Sequence, residues 1–305
     1  MKNNKVAIIG GGRVGMSAAF AMLLKGKVRE LVLYDRDIEK MKGEQLDFED
    51  ALSFLGSTKV TVAQSFKDFK DIDIIVFTAG VSQKPGESRL DLVKKNLEIV
   101  KEILPKAVEQ SPNSVILMVT NPVDILTYEA SKILNLPKGR VFGTGTCLDT
   151  SRFRFHLSEV LKINTKNIHA YILGEHGDSS FPAISNSDVG GQQLLSIPGI
   201  NEKIIEECYL KVKNSAASII QAKGASFYAI AVVISELVEA ILDDSKRVYP
   251  VSTPIDGQYG LKEVSLSVPC VIGRGGVEEI MEITLSEKDK NNLINSSEVL
   301  KKIIE

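Results

Sequence analysis

The stretch 6-VAIIGGGRVG-15 couples a wholly apolar run to a glycine-rich turn. Four apolar residues without alternation predict a strand buried on both faces. Apolar residues then recur at helical spacing from Arg13 to Leu24, and Leu31–Tyr34 again reads as a strand ending on Asp35. Strand, glycine turn, helix and strand in that order give G-x-G-x-x-G (Gly10, Gly12, Gly15) the context it lacks as a bare string. Gly10 permits the tight turn, Gly12 lets backbone approach a pyrophosphate, and Gly15 lets helix pack on strand. The helix amino terminus, with Val14 in its first turn, then faces negative charge. Asp35 lies 20 residues after Gly15, the spacing of an acid that receives a ribose hydroxyl pair. It would repel a 2′-phosphate, which favours NAD over NADP, with Arg36 adjoining it.

Outward from this unit the alternation continues. Ile38–Leu55 reads as a helix, Val60–Ala63, Ile74–Thr78 and Val115–Val119 as strands, and Glu87–Gln110 as a helix. Short apolar runs separated by helical patterns predict a doubly wound parallel (Rossmann) sheet over residues 1–143. Residues 144–305 read differently, as a mixed α+β substrate domain. Cys147–Leu161 is a predicted helix and His169–Leu173 a strand. A long helical stretch covers Asn201–Leu242, interrupted at Gly224. Val248–Pro254 and Glu263–Ile272 alternate like antiparallel strands, and Ser286–Ile304 is a closing helix. The two halves are expected to pack as one body around a cleft.

Composition narrows the function. With 37 basic and 39 acidic residues, scattered rather than blocked, the chain shows no footprint for nucleic acid or an anionic membrane. Cys147, Cys208 and Cys270 are odd in number and widely spaced, which argues against a disulfide framework or a metal site and for a reducing cytoplasm. The first apolar run leads into the glycine loop and not into a cleavage site, so no signal peptide is expected. No apolar run approaches the roughly 18–20 residues of a spanning helix.

Beyond the glycine loop stand TAG (78–80), QKPGESRLDL (83–92), TNPVD (120–124), GTCLDTSRFR (145–154) and LGEHGD (173–178). Together these resemble the bacterial L-lactate dehydrogenases of the lactate/malate dehydrogenase family over nearly the whole chain. Reducing a 2-oxo acid requires a hydride at carbon and a proton at oxygen. A histidine, with an unperturbed pKa of roughly 6.5, can give and retake that proton near neutrality. The resemblance implies that His176 is this acid–base, that Asp149 orients it and stabilises its protonated form, and that Arg89 polarises the carbonyl from a mobile loop. It implies further that Arg152 grips the substrate carboxylate as a bidentate fork. Asn121, preceding Pro122 in a cis bond, would hydrogen-bond the substrate. The implied cofactor set adds Lys40, Gly80, Asn121 and Thr144 to Gly10, Gly12, Val14, Gly15 and Asp35. His156, four residues past Arg152, matches nothing in the family and reads as packing or surface.

Gln83 separates substrates. Malate-type enzymes carry an arginine there for the second carboxylate, so an amide implies pyruvate and L-lactate. Ser226 stands where lactate enzymes usually have threonine. The lost methyl enlarges the pocket, which should admit somewhat longer 2-oxo acids, at a discrimination of only ~1–3 kcal/mol. The rivals are malate dehydrogenase or a broader 2-hydroxy acid dehydrogenase, an NAD-dependent glycosidase, which would need a Cys/His metal site, and a non-catalytic NAD-binding protein.

Arg154 lies ~200° around the helix from Arg152 and so faces away from its pocket. If the segment between His169 and His176 is extended, their odd separation turns His169 away too. The resemblance places both at the positions where the bacterial enzymes bind fructose 1,6-bisphosphate between subunits, and it implies a homotetramer.

Overall fold

The computed structural model describes residues 4–82 and 86–304; Gln83 lies outside the described residues. In the first half the chain runs β1 (Lys5–Ile9), α1 (Arg13–Lys25), β2 (Glu30–Tyr34), α2 (Ile38–Ala51), β3 (Lys59–Val62) and β4 (Ile74–Phe77). It continues with α3 (Arg89–Gln110), β5 (Val115–Met118), α4 (Val123–Leu134) and β6 (Val141–Gly143). These six strands are parallel in the order β3-β2-β1-β4-β5-β6. The order reverses between β1 and β4, and in such sheets the crevice beyond the strand ends at that point takes the ligand.

The two faces of the sheet explain the unalternating strands. Val6, Ile8, Leu31, Leu33, Ile74 and Val76 enter one core, while Ala7, Ile9, Val32, Ile75 and Phe77 enter another on the opposite face. Each strand is therefore buried on both sides, as parallel strands under crossover helices must be.

After β6 come α5 (Cys147–Leu161), β7 (Ile168–His169), β8 (Ile172–Leu173), β9 (Phe181–Pro182), β10 (Asp188–Val189) and β11 (Gln192–Gln193). Two helices follow, α6 (Glu202–Lys223) and α7 (Tyr228–Leu242). The chain closes with β12 (Arg247–Asp256), β13 (Lys262–Gly273), β14 (Gly276–Ile280) and α8 (Glu287–Ile304). The expected break at Gly224 is present: Gly224 (φ +83°) caps α6 in the left-handed region, and residues 224–227 separate it from α7.

Two expectations change. His169–Leu173 is not one strand: β7 pairs with β10, β8 pairs with β9, and the chain leaves one sheet for the other at Ala170–Tyr171. The parity argument relating His169 to His176 thereby loses its premise. The large sheet also does not stop at residue 143. β12 adds antiparallel to β6 through Ser252 opposite Gly143, and β13 and β14 extend it to nine strands. Ala231, Ile234, Leu237, Val251 and Val268 share one core with Val6 and Leu31. A smaller core under α5 and α6 holds Phe153, Leu157, Ile172, Ile205 and Tyr209.

Candidate active site

The cofactor end follows from the β1–α1 turn. Gly10 has φ +115°, and a Cβ there would come within 2.6 Å of the Ala79 nitrogen. A Cβ on Gly15 would collide with the Gly10 carbonyl. Gly12, by contrast, faces open space, and a Cβ there would fill it without touching protein. The open cradle, at the amino terminus of a 13-residue helix with no side-chain cap, fits a pyrophosphate. Asp35 is half-buried at the end of β2, where Oδ2 accepts from the Gly11 nitrogen at 2.7 Å and Oδ1 from that of Asp37 at 3.1 Å. Lys40 reaches back to the Gly11 carbonyl at 2.5 Å. These contacts fix the acid and the loop together and leave acceptor capacity on the carboxylate for a ribose.

Val14 is half-buried on the first turn of α1, and Gly80 is exposed after β4. Thr144 is only 3% exposed, its nitrogen bound to the Met118 carbonyl. The Asn121–Pro122 peptide is cis. Sequence reasoning missed Asn96 of α3, which is buried and clamps this region. Its Oδ1 accepts from the Val81 nitrogen at 2.8 Å, and its Nδ2 donates to the Asn121 carbonyl at 2.8 Å.

The chemical end assembles around the 174–178 loop, which leaves β8. His176 Nδ1 lies 2.6 Å from Asp149 Oδ2, and Arg152 Nη1 donates to Asp149 Oδ1 at 3.2 Å. Asp149 and Arg152 are one turn apart on α5, as their spacing requires. The Asp149 carboxylate is the largest cause of an imidazole pKa raised to about 9, against burial, which lowers it. Burial works the other way on Asp149, but His176 and Arg152 outweigh it and hold that carboxyl below its usual range. With Nδ1 committed to Asp149, Nε2 is the nitrogen left for a substrate.

Two further carboxylates surround the loop, and neither was anticipated. Asp124, in the first turn of α4, accepts from the His176 main-chain nitrogen at 2.7 Å, and its burial pushes its pKa up to about 6. Glu175 is fully buried and ion-paired to Arg89. Both residues sit in motifs quoted above, TNPVD and LGEHGD, but nothing in the sequence reveals their burial. Arg89 itself is the first residue of α3, fixed by a Ser88–Asp91 capping box, so its backbone belongs to a helix start and not to a free loop.

Ser226 is half-buried in the break between α6 and α7. Arg13, at the start of α1, stands 5.9 Å from the neighbouring Phe227 ring, which sets this break beside the glycine loop. Arg154 faces away from Arg152: its Nε donates to the Ala170 carbonyl at 2.9 Å and its guanidinium covers Tyr171. His169 is exposed beside Ala170, with Asp188 opposite it across β10. His156 lies edge-on to Phe155 and 3.5 Å from Glu159, away from the acid–base pair. Cys147 is buried with its thiol on the Pro250 carbonyl, and burial drives its pKa far above the usual thiol range. Among the described residues no helix is long and apolar enough to cross a membrane.

Comparison with known proteins agrees over the full length. A family model described as the lactate/malate dehydrogenase NAD binding domain matches residues 4–143. A second, the lactate/malate dehydrogenase alpha/beta C-terminal domain, matches residues 146–305. L-lactate dehydrogenase 1 of Clostridium acetobutylicum is 42% identical over 309 residues, covering 100% of this chain and 98% of that protein. The L-lactate dehydrogenase of Thermoanaerobacterium saccharolyticum is 44% identical over 306 residues, 99% of this chain and 98% of that one. Among solved structures, a lactate dehydrogenase from a Medee basin deep-sea metagenome library superposes with a TM-score of 0.95 at 40% identity, covering 100% of this chain and 98% of that chain. The minor L-lactate dehydrogenase of Enterococcus mundtii, in a ligands-bound form, gives 0.95 at 38%, with the same coverage.

Proposed function

The chain belongs to the lactate/malate dehydrogenase family, and from that premise we propose that it reduces pyruvate reversibly to L-lactate with NADH, His176 serving as proton donor and acceptor. The carrying observation is the Arg152–Asp149–His176 chain, in which one buried carboxylate holds both a proton donor and a guanidinium. Bound NADH supplies the hydride. His176 holds the proton on Nε2, facing the carbonyl oxygen, and Asp149 stabilises the cationic ring before transfer. Arg152 has donors beyond the one given to Asp149, and these pair the substrate carboxylate. Arg89 directs its charge at the carbonyl oxygen as negative charge develops there. Asn121 adds a hydrogen bond to the substrate, and Ser226 borders its methyl group.

In the cofactor set, Gly10, Gly12, Val14 and Gly15 approach the pyrophosphate and Asp35 the adenosine ribose. Lys40, Gly80, Asn121 and Thr144 line the remaining length of the dinucleotide. Residues 1–143 form the cofactor domain and 144–305 the substrate domain, joined by the common sheet. Gln83 in place of an arginine supports pyruvate over oxaloacetate.

The enzyme works in the cytoplasm, at the fermentative end of glycolysis. It assembles as a homotetramer; Phe20, Leu24, Leu46 and Phe54 on the α1–α2 side are exposed apolar residues of the kind copies would cover. Fructose 1,6-bisphosphate binds at Arg154 and His169, which flank Ala170.

The test is NADH oxidation with pyruvate, with oxaloacetate, and with a chromogenic glycoside as control. Pyruvate is the preferred substrate by specificity constant. His176→Gln abolishes turnover while NADH still binds, because the cofactor groups stand on other elements. Preference for oxaloacetate, or near-parental rates in His176→Gln, would overturn the assignment.

A further inference from the structure

Glu175 carries a carboxylate with no exposure to solvent, one residue before the proton donor. Its surroundings hold it rigidly. Oε2 accepts from the Ser179 hydroxyl at 2.5 Å and the Ser179 nitrogen at 3.3 Å. The Glu175 main-chain nitrogen donates to Ser296 Oγ on α8 at 2.6 Å, and that hydroxyl lies 3.0 Å from Ser179 Oγ. A Cβ at position 177 would come within 2.6 Å of Oε1, so Gly177 gives the carboxylate the room to fold beneath its own turn.

Among the described residues, Glu175 forms an ion pair with one cation, the Arg89 guanidinium. The carboxylate is fully buried while the arginine side chain keeps 37% exposure, so removing the arginine would leave a buried charge uncompensated. The arginine is thus fixed at both ends. Ser88 and Asp91 cap the helix that carries its Cα, and Glu175 takes its Nη2. A guanidinium has five N–H donors in a planar fork, and the ones that Glu175 does not use remain for a second acceptor. Because Glu175 and His176 are consecutive, one turn of chain sets both the proton donor and the cation that acts beside it.

We propose that Glu175 is a positioning residue that aims the Arg89 guanidinium at the substrate carbonyl. This rests on the role given to Arg89 above. Glu175 does not touch the reacting atoms; its effect passes through the arginine.

A kinetic double-mutant cycle tests it, using parent, Arg89→Gln, Glu175→Gln and the double variant, with saturating NADH and pyruvate. Misaiming a catalytic group by about an ångström can cost up to roughly 100-fold in rate, so Glu175→Gln is expected to lower kcat about tenfold or more. The double variant is expected to be no slower than Arg89→Gln alone, and the NADH dissociation constant to change less than about twofold. Glu175→Asp, which keeps the charge and retracts it by one methylene, should recover part of the lost turnover. It also replaces the glutamine variant in the cycle should the latter fail to fold. Losses that multiply in the double variant, or an unchanged kcat in Glu175→Gln, overturn the proposal and leave the role of Arg89 standing. Parental turnover in Arg89→Gln sinks that role and the proposal together.

Discussion

Arg152 and His176 bind opposite oxygens of one carboxylate, Asp149, at 3.2 and 2.6 Å. A single buried charge thereby fixes the group proposed to hold the substrate and the group proposed to protonate it. Asp149→Asn keeps the shape and removes the charge. It is expected to lower kcat with pyruvate by up to about 10⁴-fold, the scale seen when a triad acid becomes an amide. The ionisation of His176 should fall with it, since the Asp149 charge is what lifts the ring to about 9. A pH profile with its inflection unmoved would show that the carboxylate does not set the ring's charge.

The direction of that shift gives the pH dependence of both reactions. Pyruvate reduction needs the cationic ring, so kcat/KM for pyruvate should be level at neutrality and fall tenfold per pH unit above about 9. Lactate oxidation needs the neutral ring, and its kcat/KM should rise with pH until about 9. The same group acts on stability. A folded pKa raised above the unfolded value of about 6.5 contributes stability that is complete below 6.5 and lost as pH rises through about 9. Melting temperatures of parent and His176→Gln should therefore converge between those limits. Parallel curves would contradict the assignment.

Gln83→Arg should turn preference from pyruvate toward oxaloacetate. The new guanidinium pairs a second carboxylate and is left uncompensated by a methyl group. Specificity constants for both substrates in both proteins measure it. An unchanged ratio would mean that position 83 does not meet the substrate side chain.

If the proposed bisphosphate site stands, fructose 1,6-bisphosphate should lower the pyruvate concentration at half-maximal rate, since its phosphates would neutralise the charges of Arg154 and His169 at a subunit interface. The comparison is between parent and an Arg154→Leu/His169→Ala double variant. Equal responses refute the site, and no response in the parent refutes the regulation.

Local signals were legible where one short segment carries its own geometry. The Gly10–Gly15 turn was readable because its glycines answer steric demands within a few residues, and α5 runs over the predicted Cys147–Leu161. The cis bond at Asn121–Pro122 followed from the resemblance and is present. Features built from distant residues left no such trace. Glu175 and Arg89 are 86 positions apart, and neither the burial of one nor the cap on the other has a periodic signature. The union of β6 with β12 rests on one residue pair, Ser252 and Gly143. His169–Leu173 reads as a single strand because Tyr171, Ile172 and Leu173 continue an apolar run with Ile168 and no turn residue interrupts it, yet its two ends hydrogen-bond to different partners. Gln83, on which the proposed preference for pyruvate rests, lies outside the described residues.

The nine-strand sheet and the core it shares with α7 should make the two halves unfold as one cooperative unit on heating. A dinucleotide seated on the glycine loop withdraws the whole chain from the unfolded ensemble by mass action, not only the half that grips it. NADH should therefore shield the outer strands, β13 and β14, from proteolysis as effectively as β1.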